Sequence, residues 1–501
     1  MLKQVAAALA AALILAAPQG FAQHLRIGLA EDPDVLDPTL ARTFVGRIVF
    51  AALCDKLLDL DETLKIVPQL ATGYEWSADQ KALTLKLRPG VTFHDGEKFD
   101  AAAVKFNLER HKTMAGSNRR GELAPVTSID VVDPMTVRLN LAAPFAPLLA
   151  ILTDRAGMMV SPKAAQAAGD KFSAKPVCSG PFRFVERVAQ DRIVFERFPG
   201  YWNKDAIHFD KVTYLPIVDS TVRLANLKAG QLDFIERMAP SDVPGLKGDS
   251  RFKVAKIVEI GYQGVTFNLA KSDFAQKSAV RDPRVREAFE LALDRDAIVQ
   301  VAMDGEALAG NQWVAPTNAW YAKNVPVPKR DVARAKALLK EAGLPNPTFT
   351  LMTPTTSDAQ RTAQVVQAMA KEAGFDVKIQ STEFSTSLDL ADKGQYEAYV
   401  LAWSGRADPD GNLHSHLACK QPLNYSGICR PDMDELINKS RTTIDPAQRL
   451  KLFEQVAAIE SRERPIVYLY HRHWLWAYNA KMSGLRTVPD GLVRLQDLRT
   501  R

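Results

Sequence analysis

The sequence predicts an α/β protein of about three domains, β-rich in its first half and alternating between strand and helix in its second. Three observations carry this. The 501 residues correspond to about three domains at roughly 150 residues each. Period-two alternation of apolar and polar residues recurs through residues 64–145 and 180–260. From about residue 262 the pattern changes, and apolar stretches of strand length alternate with capped helical ones. A hydrophobic content of 47% with 24% charged residues is that of a globular chain. It excludes disorder, a collagen-like repeat and a disulfide-dense miniature scaffold.

Taken in order, the first 22 residues stand apart. Lys3 is the only charge before Arg26, and residues 5–17 are an Ala/Leu/Ile/Val run too short to span a bilayer. Pro18 and Gly20 follow, and Gly20 and Ala22 stand three and one residues before Gln23. That pattern predicts a signal peptide cleaved after Ala22 and an exported, soluble mature chain. Residues 24–30 alternate as a strand, and residues 31–38 form a polar loop punctuated by Pro33 and Pro38. Residues 44–60 read as an apolar helix followed by an extended piece. Strands are expected at 83–88, 91–96 and 137–141, with Asp100 capping a helix over 101–110. Further strands fall at 182–188, 193–198 and 212–217, and a helix over 221–229 ends at Gly230.

In the second half, Asp282-Pro283 opens one helix, Asp331 a second that closes at Gly343, and Asp445-Pro446 a third through residue 460. Strands are expected at 348–352, 376–380 and 396–403, with a helix over 359–373 between the first two. Residues 466–478 read as a long apolar-aromatic strand. Residues 486–498 have no partner nearby in sequence, so the C-terminal strands are expected to return to the first lobe.

Export permits disulfides. Cys54, Cys178, Cys419 and Cys429 allow three pairings. Cys419 and Cys429 are close and flank Pro422 and Gly427, which suit a closed loop; that leaves Cys54 with Cys178.

Composition and motifs exclude more than they select. The 64 Lys and Arg against 58 Asp and Glu give a net charge of +6, and the basic residues are scattered, so no nucleic-acid partner is expected. The chain lacks G-x-S-x-G, H-E-x-x-H, G-x-x-x-x-G-K-S/T and G-x-G-x-x-G, so no enzyme is expected and no cofactor. Two His-x-His pairs, His414 with His416 and His471 with His473, would each present two imidazoles to one metal if carried on strands. Neither has a third ligand at metal-site spacing, and no metal is assigned. His471 and His473 otherwise read as one face of a strand whose other face carries Tyr470, Arg472 and Trp474. The run Asp408-Pro-Asp-Gly-Asn412 fails as a calcium loop, because its Gly is fourth and its twelfth position is Cys419. Trp403 stands out among the aromatics, since it ends an apolar strand where a polar loop begins, the place where ligands gather in α/β sheets.

A set of ordered motifs covers nearly the whole mature chain: Val67-Pro-Gln-Leu-Ala71, Leu85-Lys-Leu-Arg-Pro-Gly-Val-Thr-Phe-His-Asp-Gly96, Val104-Lys-Phe-Asn107, Ser179-Gly-Pro-Phe182, Asp219-Ser-Thr-Val-Arg-Leu224, Asp282-Pro-Arg-Val-Arg286, Leu293-Asp-Arg-Asp-Ala-Ile298 and Trp403-Ser-Gly-Arg-Ala-Asp-Pro-Asp410. In these it resembles the family 5 extracytoplasmic solute-binding proteins of ABC importers, a group with peptide, oligopeptide, nickel and glutathione receptors. The resemblance implies a two-lobed periplasmic-binding-protein fold with an extra β-rich domain, mixed sheets flanked by helices, and a cleft between lobes that close on a ligand. Lobe I would comprise residues 23–61, 176–262 and 474–501, the extra domain residues 62–175, and the other lobe residues 263–473. It implies a monomeric periplasmic receptor that hands a small peptide or peptide-like ligand to an inner-membrane ABC permease. The family's disulfide around an Asn-Tyr-Ser tripeptide is similar to Cys419…Asn424-Tyr-Ser426…Cys429. Competing readings are a metal-chelate or nickel receptor of the same fold and an exported hydrolase.

The ligand anchors depart from the family pattern. Dipeptide-binding members carry an Asp after the Trp-x-Gly, where this chain has Arg406. They also carry an Arg after the strand corresponding to 348–352, where this chain has Thr353-Pro-Thr-Thr-Ser357. The expected site is therefore the loop of residues 403–410: Trp403 as an apolar wall, Gly405 admitting close backbone approach, and Arg406 as the contact for an anionic group. The alternative pairs Arg406 with Asp408 or Asp410 in its own loop. Asp408 is expected either to accept a donor from the ligand or to orient Arg406. Asp32 and Asp37 in the first loop are the next candidates for an acidic anchor.

Overall fold

One strand, Ile466–Asn479, organises the molecule. In the computed structural model, which describes residues 23–269 and 272–501, this 14-residue strand belongs to two halves of a single 12-stranded mixed sheet. The signal-peptide expectation lies outside the described residues. The first part of the strand pairs antiparallel with Tyr262–Phe267, from Thr266 opposite Ile466 to Gln263 opposite Tyr470. Its second part pairs with Phe252–Val258, from Val258 opposite His473 to Phe252 opposite Asn479, and with Phe234–Ile235. Its sequence, aromatic and apolar almost throughout, suits a strand covered on both faces.

Beyond Phe234–Ile235 the first half continues through His24–Leu29, Lys211–Pro216, Arg192–Arg197 and Phe182–Val188. His24–Leu29 runs parallel to both of its neighbours, and the outer pairs are antiparallel. The second half continues from Tyr262–Phe267 through Ala398–Trp403 and Thr348–Pro354 to Asp376–Thr382. Thr348–Pro354 is parallel to both of its neighbours, so the connections must cross over through helices. Helices Pro283–Ala292, Arg295–Met303 and Ser357–Glu372 pack there around Val265, Phe289, Phe349 and Phe375. The expected caps hold: Asp100, Asp282, Asp331 and Asp445 each accept from a backbone N–H of their helix's first turn.

The residues between form a third unit. A four-stranded antiparallel sheet runs Ala71–Trp76, Ala82–Leu87, Thr136–Leu141, Val126–Asp133. Helix Ala101–Thr113 covers it over a core that includes Leu83, Leu85, Val104 and Val137.

Two strand expectations are corrected. Residues 91–96 form only a bridge from Thr92 to Lys98, because the turn at Gly96, φ +84°, closes before a ladder can grow. Residues 486–498 return to the first core, with Val488, Leu492, Val493, Leu495 and Leu498 buried, but as irregular chain. Pro489 and the left-handed Gly491, φ +76°, prevent a strand, and Arg494 pins the segment to Asp59 and Asp490 at 2.7 and 2.8 Å. Both disulfides form as read, Cys54 with Cys178 and Cys419 with Cys429.

Candidate functional site

The chain passes between the two halves of the sheet at residues 258–262 and again within Ile466–Asn479. A cavity of about 560 Å³ opens between these halves and the third unit, within the range of small-molecule sites.

The shared strand supplies one wall. Tyr470, Arg472 and Trp474, alternate residues on one face, all line the cavity. His471 and His473 turn the other way. His471 Nδ1 lies 2.6 Å from the Gly261 carbonyl, and His473 Nδ1 lies 3.0 Å from Glu306 Oε2. So the face opposite the two histidines, to which the sequence assigned no role, is the one that meets the cavity. Trp474 stacks on Phe44 with ring centroids 4.4 Å apart and planes 8° apart, and its Nε1 donates to the Pro489 carbonyl at 3.1 Å. Gly491 makes room for it, since a Cβ there would stand 2.5 Å from the indole.

The loop after Ala398–Trp403 supplies the opposite wall. Trp403, Arg406 and Asp408 line the cavity, and Trp403 Nε1 donates to Asn412 Oδ1 at 3.0 Å. The alternative, Arg406 paired with Asp408 or Asp410 inside its own loop, is not formed. Arg406 sits 4.7 Å over the Trp403 ring and reaches across the cavity to Asp154, Nε to Oδ2 2.6 Å. Arg449 takes Asp408 with two hydrogen bonds of 2.6 and 2.7 Å, and Arg441 takes Asp410 at 3.1 Å. Asp408 is thus engaged by a helix behind the loop and does not orient Arg406. Gly405 is corrected too: its φ is +79° and a Cβ would stand 2.3 Å from the Ile260 carbonyl carbon, so glycine here serves backbone packing against Ile260 and Gly261.

Asp32 and Asp37 lie outside the cavity lining. Asp32 is held by Arg187 at 2.9 Å. Asp37 is held by Arg110 at 2.5 Å and also accepts from the Thr39 N–H at 2.9 Å, which ties the first loop to helix Ala101–Thr113.

The metal geometry considered for His414 and His416 is corrected. They lie on helix Asp410–Leu417, where residues two apart do not share a face. His414 Nε2 lies 2.9 Å from Arg441 Nη1, and His416 packs edge-on to Trp403 at 4.5 Å. Burial lowers both to about 3, with the neighbouring Arg441 and Arg406 adding to it, so both are neutral at ordinary pH. Among the described residues no group of three or more His, Cys, Asp or Glu is placed to hold a metal ion.

Charge divides the cavity into two ends. At one, four guanidiniums, Arg47, Arg119, Arg155 and Arg406, surround two carboxylates. Asp154 meets Arg406 at 2.6 Å, Arg47 at 3.0 Å and Arg155 at 3.9 Å, and Glu122 meets Arg119. Burial pushes the Asp154 carboxyl up, but these arginines outweigh it and hold it well below the usual range. Burial lowers Arg406 to about 10 against the pull of Asp154. Nε of Arg119 and Nε of Arg155 are buried without a hydrogen-bond partner. At the other end Arg237 meets Glu31 and Glu236, each at 2.9 Å, and Arg472 meets Asp358 at 3.0 Å and Glu259 at 3.4 Å. Carboxylates outnumber cations there, and Glu31 and Asp358 line the cavity. Sequence reasoning missed this second end and most of the first. The available signal was Asp154-Arg155, two adjacent charges inside the apolar stretch of residues 148–160.

Two sheet halves sharing one strand, with a solute-sized cavity between them, define a two-lobed periplasmic binding protein. The solved structures agree. One is the binding protein DppA of Helicobacter pylori in complex with the peptide STSA, 26% identical, TM-score 0.86, covering 95% of this chain and 98% of that one. Another is AgaA from A. tumefaciens R10 in complex with agropinic acid, 26% identical, TM-score 0.84, covering 95% and 99%. Residues 65–424 match the family described as bacterial extracellular solute-binding proteins, family 5 Middle. The chain belongs to that family. Its relatives include the glutathione-binding protein GsiB of Pectobacterium atrosepticum, 29% identical over 98% of this chain and 97% of that protein.

Proposed function

We propose that this protein is the periplasmic receptor of an ABC importer. It closes on a small peptide-like solute carrying an anionic group and delivers it to an inner-membrane permease. The division of charge across the cavity carries the reading: surplus guanidinium at the Asp154 end suits a carboxylate, and surplus carboxylate at the Glu31 and Asp358 end suits an ammonium. A peptide-like molecule holds both. The relatives support the class, since one is named for glutathione, which has two carboxylates and an ammonium, and the solved structures hold a peptide and agropinic acid. In this reading residues 23–61, 176–262 and 474–501 form one lobe, 263–473 the other, and 62–175 the extra domain. The chain acts as a monomer without catalysis, and it reaches the periplasm by cleavage after Ala22.

Native mass spectrometry of gently purified protein, followed by calorimetric titration of glutathione, dipeptides and a polyamine, tests this. The expected result is a bound anionic or zwitterionic solute whose affinity falls at least tenfold in Arg155→Ala. Binding of the polyamine alone, or binding indifferent to Arg155, would overturn the proposal.

A further inference from the structure

The Asp154–Arg406 pair joins two residues that are each supported without the other. Arg406 belongs to the Trp403 loop. There its Nη1 donates to the Gly405 carbonyl at 2.7 Å and its guanidinium lies over the Trp403 ring. Asp154 belongs to the opposite wall, where Arg47 Nε donates to its Oδ1 at 3.0 Å. Separated, each keeps those contacts and gains water. Brought together they form a buried ion pair, with side-chain exposures of 13% and 4%. By contrast Arg42 and Asp392, which also meet across the cavity mouth at 3.1 Å, are exposed at 35% and 41%, and that pair is screened by solvent.

A glycine clears the way for Arg406. Gly411, inside helix Asp410–Leu417, has no positive φ, and alanine would be the better helix former there. A Cβ at this position, however, would stand 2.5 Å from Arg406 Cγ. Arg47 reinforces the junction, with Nη1 3.4 Å from Ser404 Oγ of the opposing loop.

We propose that Asp154 and Arg406 form a latch across the cavity that shifts the open–closed equilibrium toward the closed state, with Asp154 as the positioning residue for Arg406. This rests on the reading of two lobes closing on a solute, but its test needs no solute. Small-angle scattering on ligand-free protein compares wild type with Asp154→Asn, Arg406→Gln, their double variant, Gly411→Ala and Arg406→Lys, each with a thermal melt. The two charge-removing variants should increase the radius of gyration, and the double variant should add nothing to the larger of them. Gly411→Ala should open the protein with its melting temperature unchanged or raised. Arg406→Lys should retain at least part of the compaction. An unchanged radius in Asp154→Asn, Arg406→Gln and Gly411→Ala would overturn the latch. So would an increase only in variants that also melt early, because that pattern marks partial unfolding. Failure of the solute reading would show instead in the titrations above, which leave the scattering result intact.

Discussion

Removing the two disulfides separately should reveal two different jobs. Cys54–Cys178 closes a loop of 124 residues and Cys419–Cys429 one of 10. The chain-entropy relation, a fixed term plus one growing as the logarithm of loop length, gives about 5 kcal/mol for the first and about 3 kcal/mol for the second. The long bridge also anchors helix Phe44–Leu53, whose last residue adjoins Cys54 and whose buried face joins the first core. The short bridge encloses Gln421, Pro422, Leu423 and Tyr425, all in the cavity wall. Urea denaturation of Cys54→Ala/Cys178→Ala and Cys419→Ala/Cys429→Ala, with the slope checked for constancy, should show the larger stability loss in the first. Calorimetric titration should show weakened solute binding in the second, while most of its stability remains. Equal losses of stability in the two variants, or a larger loss from the short bridge, would refute the entropic reasoning. Undiminished binding in the second would refute the role of its loop as a wall.

Three further outcomes are expected. Burial, with the neighbouring Asp408 adding to it and Arg441 opposing it, pushes the Asp410 carboxyl up to about 6. Raising the pH through that value therefore adds negative charge to the cavity wall, while His414 and His416 stay neutral, so affinity for an anionic solute should fall several-fold between pH 5 and pH 7.5, and Asp410→Asn should flatten the profile. Gly491→Ala, which drives a Cβ into the Trp474 indole from a left-handed position, should lower the melting temperature and, by displacing the Phe44–Trp474 stack, weaken binding. Saturating solute should decrease the wild-type radius of gyration, since closure removes water from the cleft; an unchanged radius with a tightly bound solute would count against hinge closure.

Local signals made much of this fold legible. Asp-Pro dipeptides and aspartate caps placed helices correctly because a cap is a contact within four residues. The alternations at 24–30, 83–88 and 212–217 placed strands because burial of one face repeats every second residue. Irregular burial defeated the same logic at 486–498, where apolar residues fill the first core without a ladder and Arg494 meets Asp59, 435 positions away. The site was harder. Trp403 was singled out because a strand ends there in a polar loop, and Arg406 because it stands where the similar dipeptide receptors carry an Asp; the partner of Arg406 was not foreseen, since 252 positions separate it from Asp154 and only the folded chain brings them together.

The shared strand shows why one sequence pattern supports opposite readings. Alternation in Tyr470-His-Arg-His-Trp474 separates two faces, but it does not say which face meets a cavity and which meets protein. The contents of each face decide that once burial is known. His471 is fully buried, with its ring nitrogen on the Gly261 carbonyl, and a neutral imidazole tolerates such a place. Arg472 keeps its charge, with Asp358 and Glu259 raising its pKa against the cost of burial. A guanidinium held between carboxylates beside stacked rings costs stability that apolar side chains would not. Its position on the face toward the cavity is the ground on which it is proposed as a group that recognises a solute, and the same strand that joins the halves presents it there.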